Sequence, residues 1–164
     1  MSKKICAIAV FAVFTLNVQC ADHDAQVAKV KEGLAAMKAP ALTAYKIKSD
    51  DKGFEFDKDN DKQIFGWDIL QTKKIDDKAL FTRTVDILTE KKTYHGDGAK
   101  CFMPGFAFRF KQDDKQYAFV ICLECSWVYV TDGKEQQQWP LSDEAKATLL
   151  KLYKDIFGDG GEKK

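Results

Sequence analysis

Phe106, Phe108 and Phe110 fall on one parity of a short run, and Phe102 shares that parity just upstream. Side chains on a strand alternate between its two faces, so this run predicts a strand with one aromatic, buried face. Arg109 alternates off that face and is expected in solvent. Pro104-Gly105 opens the strand, and Gln112 to Lys115 reads as a polar turn. Tyr117 to Val130 is a long β-rich run, Asp132-Gly133 is a hairpin-type turn, and Lys134 to Trp139 reads as the returning strand. An antiparallel meander over about residues 100–139 is therefore the expected centre of the fold.

Helical spacing flanks this block. Val27, Val30, Leu34 and Met37 predict an amphipathic helix over 23–38 that ends at Ala39-Pro40. Tyr45-Lys46-Ile47-Lys48 and Phe54-Glu55-Phe56 alternate like short strands, with a polar break over 57–62. Residues 64–75 read as a further strand around Phe65, Trp67 and Ile69. Asp76-Asp77 is placed to cap a helix carrying Leu80, Thr84, Ile87 and Leu88 on one face, with Lys91 and Lys92 suited to its C-terminal end. Tyr94 to Lys100 holds Gly96 and Gly98 and reads as a loop. Ser142 is placed to cap a last helix with Leu149, Leu152, Tyr153 and Ile156 on one face, and Gly158 to stop it. The expected fold is α+β, an antiparallel meander of about four to six strands with helices packed on one face.

Lys3 and Lys4 precede an uncharged run, Ile5 to Val18, the pattern of a secretory signal peptide over 1–20. The run is short of the about 20 apolar residues that a membrane span needs. Cleavage is expected near 20/21, which makes the protein periplasmic or secreted. Cleavage before Cys20, with lipid on that cysteine, would instead anchor it to a membrane as a lipoprotein. Residues 21–158 then form one domain, and 159–164 are expected to be a disordered tail. Without Lys3 and Lys4 the chain carries 24 basic against 25 acidic residues, so its formal charge moves from +1 to −1. A nearly neutral chain with mixed charges argues against a nucleic-acid partner. The 12 Phe, 5 Tyr and 3 Trp suffice for a core without a staple.

Three cysteines lie in the two most apolar stretches: Cys101, and the pair in Cys122-Leu123-Glu124-Cys125. A hairpin turning at Asp113-Asp114 sets Cys101 opposite Cys125 and Ser126. Facing residues lie within the Cα separation a disulfide accepts. Cys101–Cys125 is thus the expected bridge and Cys101–Cys122 the fallback, in a compartment that permits either. A redox Cys-x-x-Cys normally opens a helix. Here a strand pattern, Trp127-Val128-Tyr129-Val130, follows the pair, and on a straight strand residues three apart point to opposite faces. A zinc site would take Cys101, Cys122, Cys125 and His95, but the apolar flanks read as strand rather than knuckle. His95 otherwise reads as a solvated loop residue; the other histidine, His23, lies near the mature terminus.

Asp57, Asp59, Asp61 and Asp68 stand where an EF-hand loop places ligands. Lys62 occupies the position that needs glycine, and a polar hairpin turn is the plainer reading. Glu124 would have a raised pKa if it pointed inward, but the solvated face of its strand is the commoner place. No phosphate loop, Gly-x-Ser-x-Gly elbow or His-Glu-x-x-His is found. No catalytic residue and no cofactor is therefore assigned.

The stretch Cys101-Phe102-Met103-Pro104-Gly105-Phe106-Ala107-Phe108-Arg109, then Phe119-Val120-Ile121-Cys122-Leu123-Glu124-Cys125, resembles a group of uncharacterised small exported bacterial proteins. Gly66-Trp67 resembles an upstream strand of the same group, and the resemblance covers about residues 64–155. Phe106 stands where that group often has His, which weakens any metal or acid–base role for the position. The resemblance implies export but no activity. The sequence thus points to an exported, non-enzymatic α+β module that binds a protein or cell-envelope component. The alternative is a metal- or thiol-dependent protein using Cys101, Cys122, Cys125 and His95.

Overall fold

The computed structural model describes residues 42–50, 53–94, 102–112 and 115–158, together with Ala28 and Glu32. Seven strands form one antiparallel sheet: β1 (Leu42–Ile47), β2 (Gln63–Ile64), β3 (Trp67–Ile75), β4 (Phe106–Gln112), β5 (Lys115–Cys122), β6 (Trp127–Thr131) and β7 (Gln136–Pro140). Their order is β2-β3-β1-β4-β5-β6-β7, and the sheet is curled into a half-barrel. Helix α1 (Lys78–Thr89) joins β3 to β4, and helix α2 (Asp143–Phe157) follows β7. The class is α+β, as expected, but the strand count exceeds four to six.

The extra strands have a topological source. β3 and β4 both pair antiparallel with β1, one on each side of it. They are therefore parallel to one another, and α1 carries the chain over β1 between them. The meander proper is β4–β7. Residues 64–75 are not one strand, because Phe65 (φ 50°) and Gly66 (φ 101°) turn the chain between Ile64 and Trp67. A two-residue turn with both φ positive suits glycine but strains phenylalanine. Burial of the Phe65 ring, stacked on Phe54 at 4.4 Å, offsets that strain. Phe54-Glu55-Phe56 does not pair as a strand and leads into a 3₁₀ turn, Phe56–Lys58. Of the helix expected over 23–38, only Ala28 and Glu32 are described, both helical and exposed.

The β4–β5 register is the expected one: Phe106 faces Ile121 and Phe110 faces Tyr117. Phe106, Phe108 and Phe110 point with Phe119, Ile121, Val128 and Val130 toward the helices, where Leu88, Leu149 and Leu152 close the main core. Both helix caps form where the sequence placed them. Asp77 accepts from Leu80 N–H at 2.7 Å, and Ser142 Oγ from Ala145 N–H at 3.2 Å. Asp143 and Glu144 add charge that suits the α2 N-terminus. Gly158 ends α2 at φ 81°. The 3₁₀ turn Lys91–Tyr94 follows α1, and the Tyr94 hydroxyl donates to Leu88 O at 2.5 Å.

The opposite face of the sheet is also dry. Ile47, Ile64, Phe65, Trp67, Ala107, Ala118 and Val120 form a second buried cluster, with Phe54, Phe102 and Tyr129 against it. A flap, residues 53–66, covers this face. Glu55 N–H bonds Phe65 O at 3.0 Å and Asn60 N–H bonds Gln63 O at 2.9 Å, which closes the flap on itself.

Candidate functional site

The flap is pinned to the sheet through one carboxylate. Asp59 Oδ1 accepts from Arg109 Nη2 on β4, and Asp59 Oδ2 accepts from Gln116 Nε2 on β5. Both members of the ion pair retain only 12% of their side-chain exposure. The Arg109 guanidinium lies 5.0 Å over the Tyr45 ring, within cation–π range. Arg109 Nε is buried and has no acceptor among the described residues. Burial pushes the Asp59 carboxyl above its usual 3.8, outweighing the opposing pull of Arg109 and the hydrogen bond from Gln116. Arg109 is thus on the face expected of it, off the phenylalanines, but it is not in solvent.

This cluster accounts for the acidic run over 57–68. Asp59 is spent on Arg109. Asp68 accepts from Gln63 Nε2 at 3.0 Å, and Asn60 Oδ1 caps Lys62 and Gln63 N–H at 2.9 and 3.1 Å. Asp57 and Asp61 are exposed. The four aspartates do not converge as a calcium loop requires, and the polar break is a 3₁₀ turn followed by bends, with the hairpin turn of this region at Phe65-Gly66 instead. Among the described residues no three His, Cys, Asp or Glu side chains gather around a point.

Around the pin runs a chain of ring contacts. Phe54 meets Phe56, Phe65, Trp67 and Tyr129 at 4.4–6.1 Å between centroids. Phe102 joins Trp67 at 5.7 Å and Tyr129 at 4.2 Å. Burial raises the Tyr129 hydroxyl pKa. Phe56 lies on the outside of this cluster, 41% exposed.

The cysteine pair sits at one end of the same face. β5 ends at Cys122 and β6 begins at Trp127, so the expected run 117–130 is a hairpin, with Ser126 at φ 57° in its turn. The turn brings Cys122 and Cys125 to 5.4 Å between Cα atoms and sets their sulfurs at disulfide distance. Each sulfur also accepts a backbone N–H. Cys122 Sγ is bonded by Cys125 N–H at 3.1 Å, and Cys125 Sγ by Met103 N–H at 3.4 Å. Cys101, which the expected Cys101–Cys125 and Cys101–Cys122 bridges share, lies outside the described residues. The expected cross-strand pairing assumed that β4 extends back to Cys101, whereas β4 begins at Phe106. The argument that residues three apart on a strand diverge fails here because the chain turns. Cys20, His23, His95 and Cys101 lie outside the described residues. Glu124 is exposed, on the solvated side of the turn.

A shallow cleft between the end of α1 and the start of α2 is lined by Ile87, Thr93, Ala145 and Thr148. At its rim Lys92 pairs with Glu90 at 3.2 Å and Glu144 at 3.8 Å. The hydrogen bond and charge of Glu90, then the charge of Glu144, raise the Lys92 pKa. These groups are solvated, and such pairs contribute little.

The Arg109–Asp59–Gln116 pin was missed from sequence, although a signal existed. Tyr117 to Cys122 is apolar on both parities, which marks a strand covered on both faces. An arginine on the neighbouring strand of such a sheet needs a buried counter-charge.

These features define a class by architecture: a curled antiparallel sheet with helices on one face and an aromatic flap pinned across the other. No protein-family model, curated protein or solved structure matches the chain.

Proposed function

We propose that this chain is an exported, non-enzymatic α+β module, periplasmic or secreted, that binds a protein or cell-envelope component and is stabilised by a disulfide. The flap carries this reading. The polar groups gathered on the flap-covered face hold the flap in place, while Phe56 offers an aromatic surface at its edge. The leader pattern of residues 1–20 and the sulfurs of Cys122 and Cys125 at disulfide distance fit an oxidising compartment. Intact-mass analysis of periplasmic material tests export and bridge together. A mature mass beginning near Ala21, lower by a pair of hydrogens than its reduced form, supports the reading. A full-length mass retaining Lys3 and Lys4, or three free thiols, overturns it. A lipid-modified mass on Cys20 would replace the soluble form by a membrane-anchored one.

One observation favours a second reading, a zinc site using Cys101, Cys122, Cys125 and His95. The argument against a zinc knuckle was that Cys122 and Cys125 lie on a strand. They instead flank a tight turn, and each sulfur accepts a backbone N–H that would also steady a thiolate. Native mass spectrometry separates the two. Three thiols alkylated only after metal removal, with stoichiometric zinc, support the site; a bridge with no zinc sinks it.

A further inference from the structure

Arg109 stands in an apolar field, since Ala107, Ala118 and Val120 around it are fully buried. Its counter-charge comes from the flap rather than from a neighbouring strand. Two donors of the sheet converge on that carboxylate, one for each oxygen, and the Tyr45 ring backs the guanidinium at 5.0 Å. A planar carboxylate suits such a cradle. Yet Asp59 engages it through Nη2, and the buried Nε has no acceptor among the described residues. A carboxylate approaching side-on takes Nε and Nη2 together, the stronger two-bond geometry.

We propose that Arg109, Gln116 and Tyr45 form a carboxylate-binding site, and that Asp59 is its internal occupant, displaced by a ligand carboxylate that engages Nε and Nη2 at once. The flap is built for that exchange. At its tip Asp57, Lys58, Asn60, Asp61 and Lys62 are exposed, and Asp59 turns inward. Phe54 and Phe65 hold the root by stacking, and Lys58 O and Lys62 O accept from Gly66 and Ile69 N–H at 3.1 and 2.8 Å, so the exchange swings out the Asp59 side chain while the flap backbone stays tied. Burial also weakens the hold of Asp59 on its own charge. The site stands on the fold and does not depend on export.

The test uses the mature protein with Asp59→Asn and, separately, Asp59→Ala, titrated with acetate and with succinate. The ¹⁵N resonance of Arg109 Nε reports occupancy. Removing the internal competitor should tighten binding at least about tenfold over wild type. Adding Arg109→Lys to Asp59→Ala should abolish it, because lysine lacks the planar fork. Folded variants whose Arg109 Nε resonance does not move overturn the proposal. So does binding that survives Arg109→Lys, or uptake of inorganic phosphate with no uptake of carboxylate. The wild-type chain gives the same test without a substitution. Succinate should shift the amides of Asp57–Lys62 together with Arg109 Nε, and an unmoved tip sinks the idea.

Discussion

Gly133 shows how little room one residue can have. Its φ is +86°, and a Cβ there would lie 3.1 Å from Gln116 O. Gly133→Ala should therefore cost more than about 1 kcal/mol, combining a left-handed backbone with a clash. The midpoint of urea unfolding checks this. Asp59 is the second sensitive residue. Its folded pKa is raised above 3.8 by burial, so its contribution to stability is fully present below that value and is lost as pH rises through the folded pKa. Wild type should lose stability relative to Asp59→Asn as pH rises through the window just above 3.8. Urea midpoints taken between about pH 3 and 6 should show this, and parallel curves for the two proteins would refute it. Neither residue's role was legible in sequence. Asp132-Gly133 announced a turn, but the carbonyl of Gln116 against Gly133 and the guanidinium on Asp59 come from distant positions.

At the scale of elements, local chemistry was a better guide. Asp77 and Ser142 cap their helices because their oxygens reach the N–H three residues on, a contact within one turn. Asp77→Ala and Ser142→Ala should each lower stability by about 1 kcal/mol, seen as a lower Tm in calorimetry. The β4–β5 register was legible for a similar reason, since the turn between them is short and phenylalanine parity fixes which face is buried. Strand ends were less legible. Tyr117 to Val130 is continuously β-forming, and its division at Leu123–Ser126 depends on Ser126 adopting φ 57°, which no glycine or proline advertises. The approach of Cys122 to Cys125 follows from that turn. The Phe65-Gly66 turn was hidden likewise, because phenylalanine is an uncommon residue at positive φ and is held there by Phe54.

Across the whole molecule, a Cys122–Cys125 bridge would close a very short loop, so it would restrain the unfolded chain only modestly. Cys122→Ser combined with Cys125→Ser should cost about 2 kcal/mol rather than prevent folding. Chemical denaturation of the variant beside wild type checks it; failure to fold would mean that the bridge or a bound metal holds more of the structure together. The bulk of the stability lies in two cores, one on each face of the sheet. The α+β class and the core under the helices could be read from the sequence, because capping, parity and turn chemistry act between neighbours. The sequence by itself also carries the leader pattern, the near-neutral charge and the three cysteines. The insertion of β1 between β3 and β4, the second core, the turn that joins Cys122 to Cys125 and the Arg109–Asp59–Gln116 pin were decided only by tertiary structure. Each unites residues whose separation along the chain, or whose backbone conformation, is set by what packs around them, and no periodicity records that.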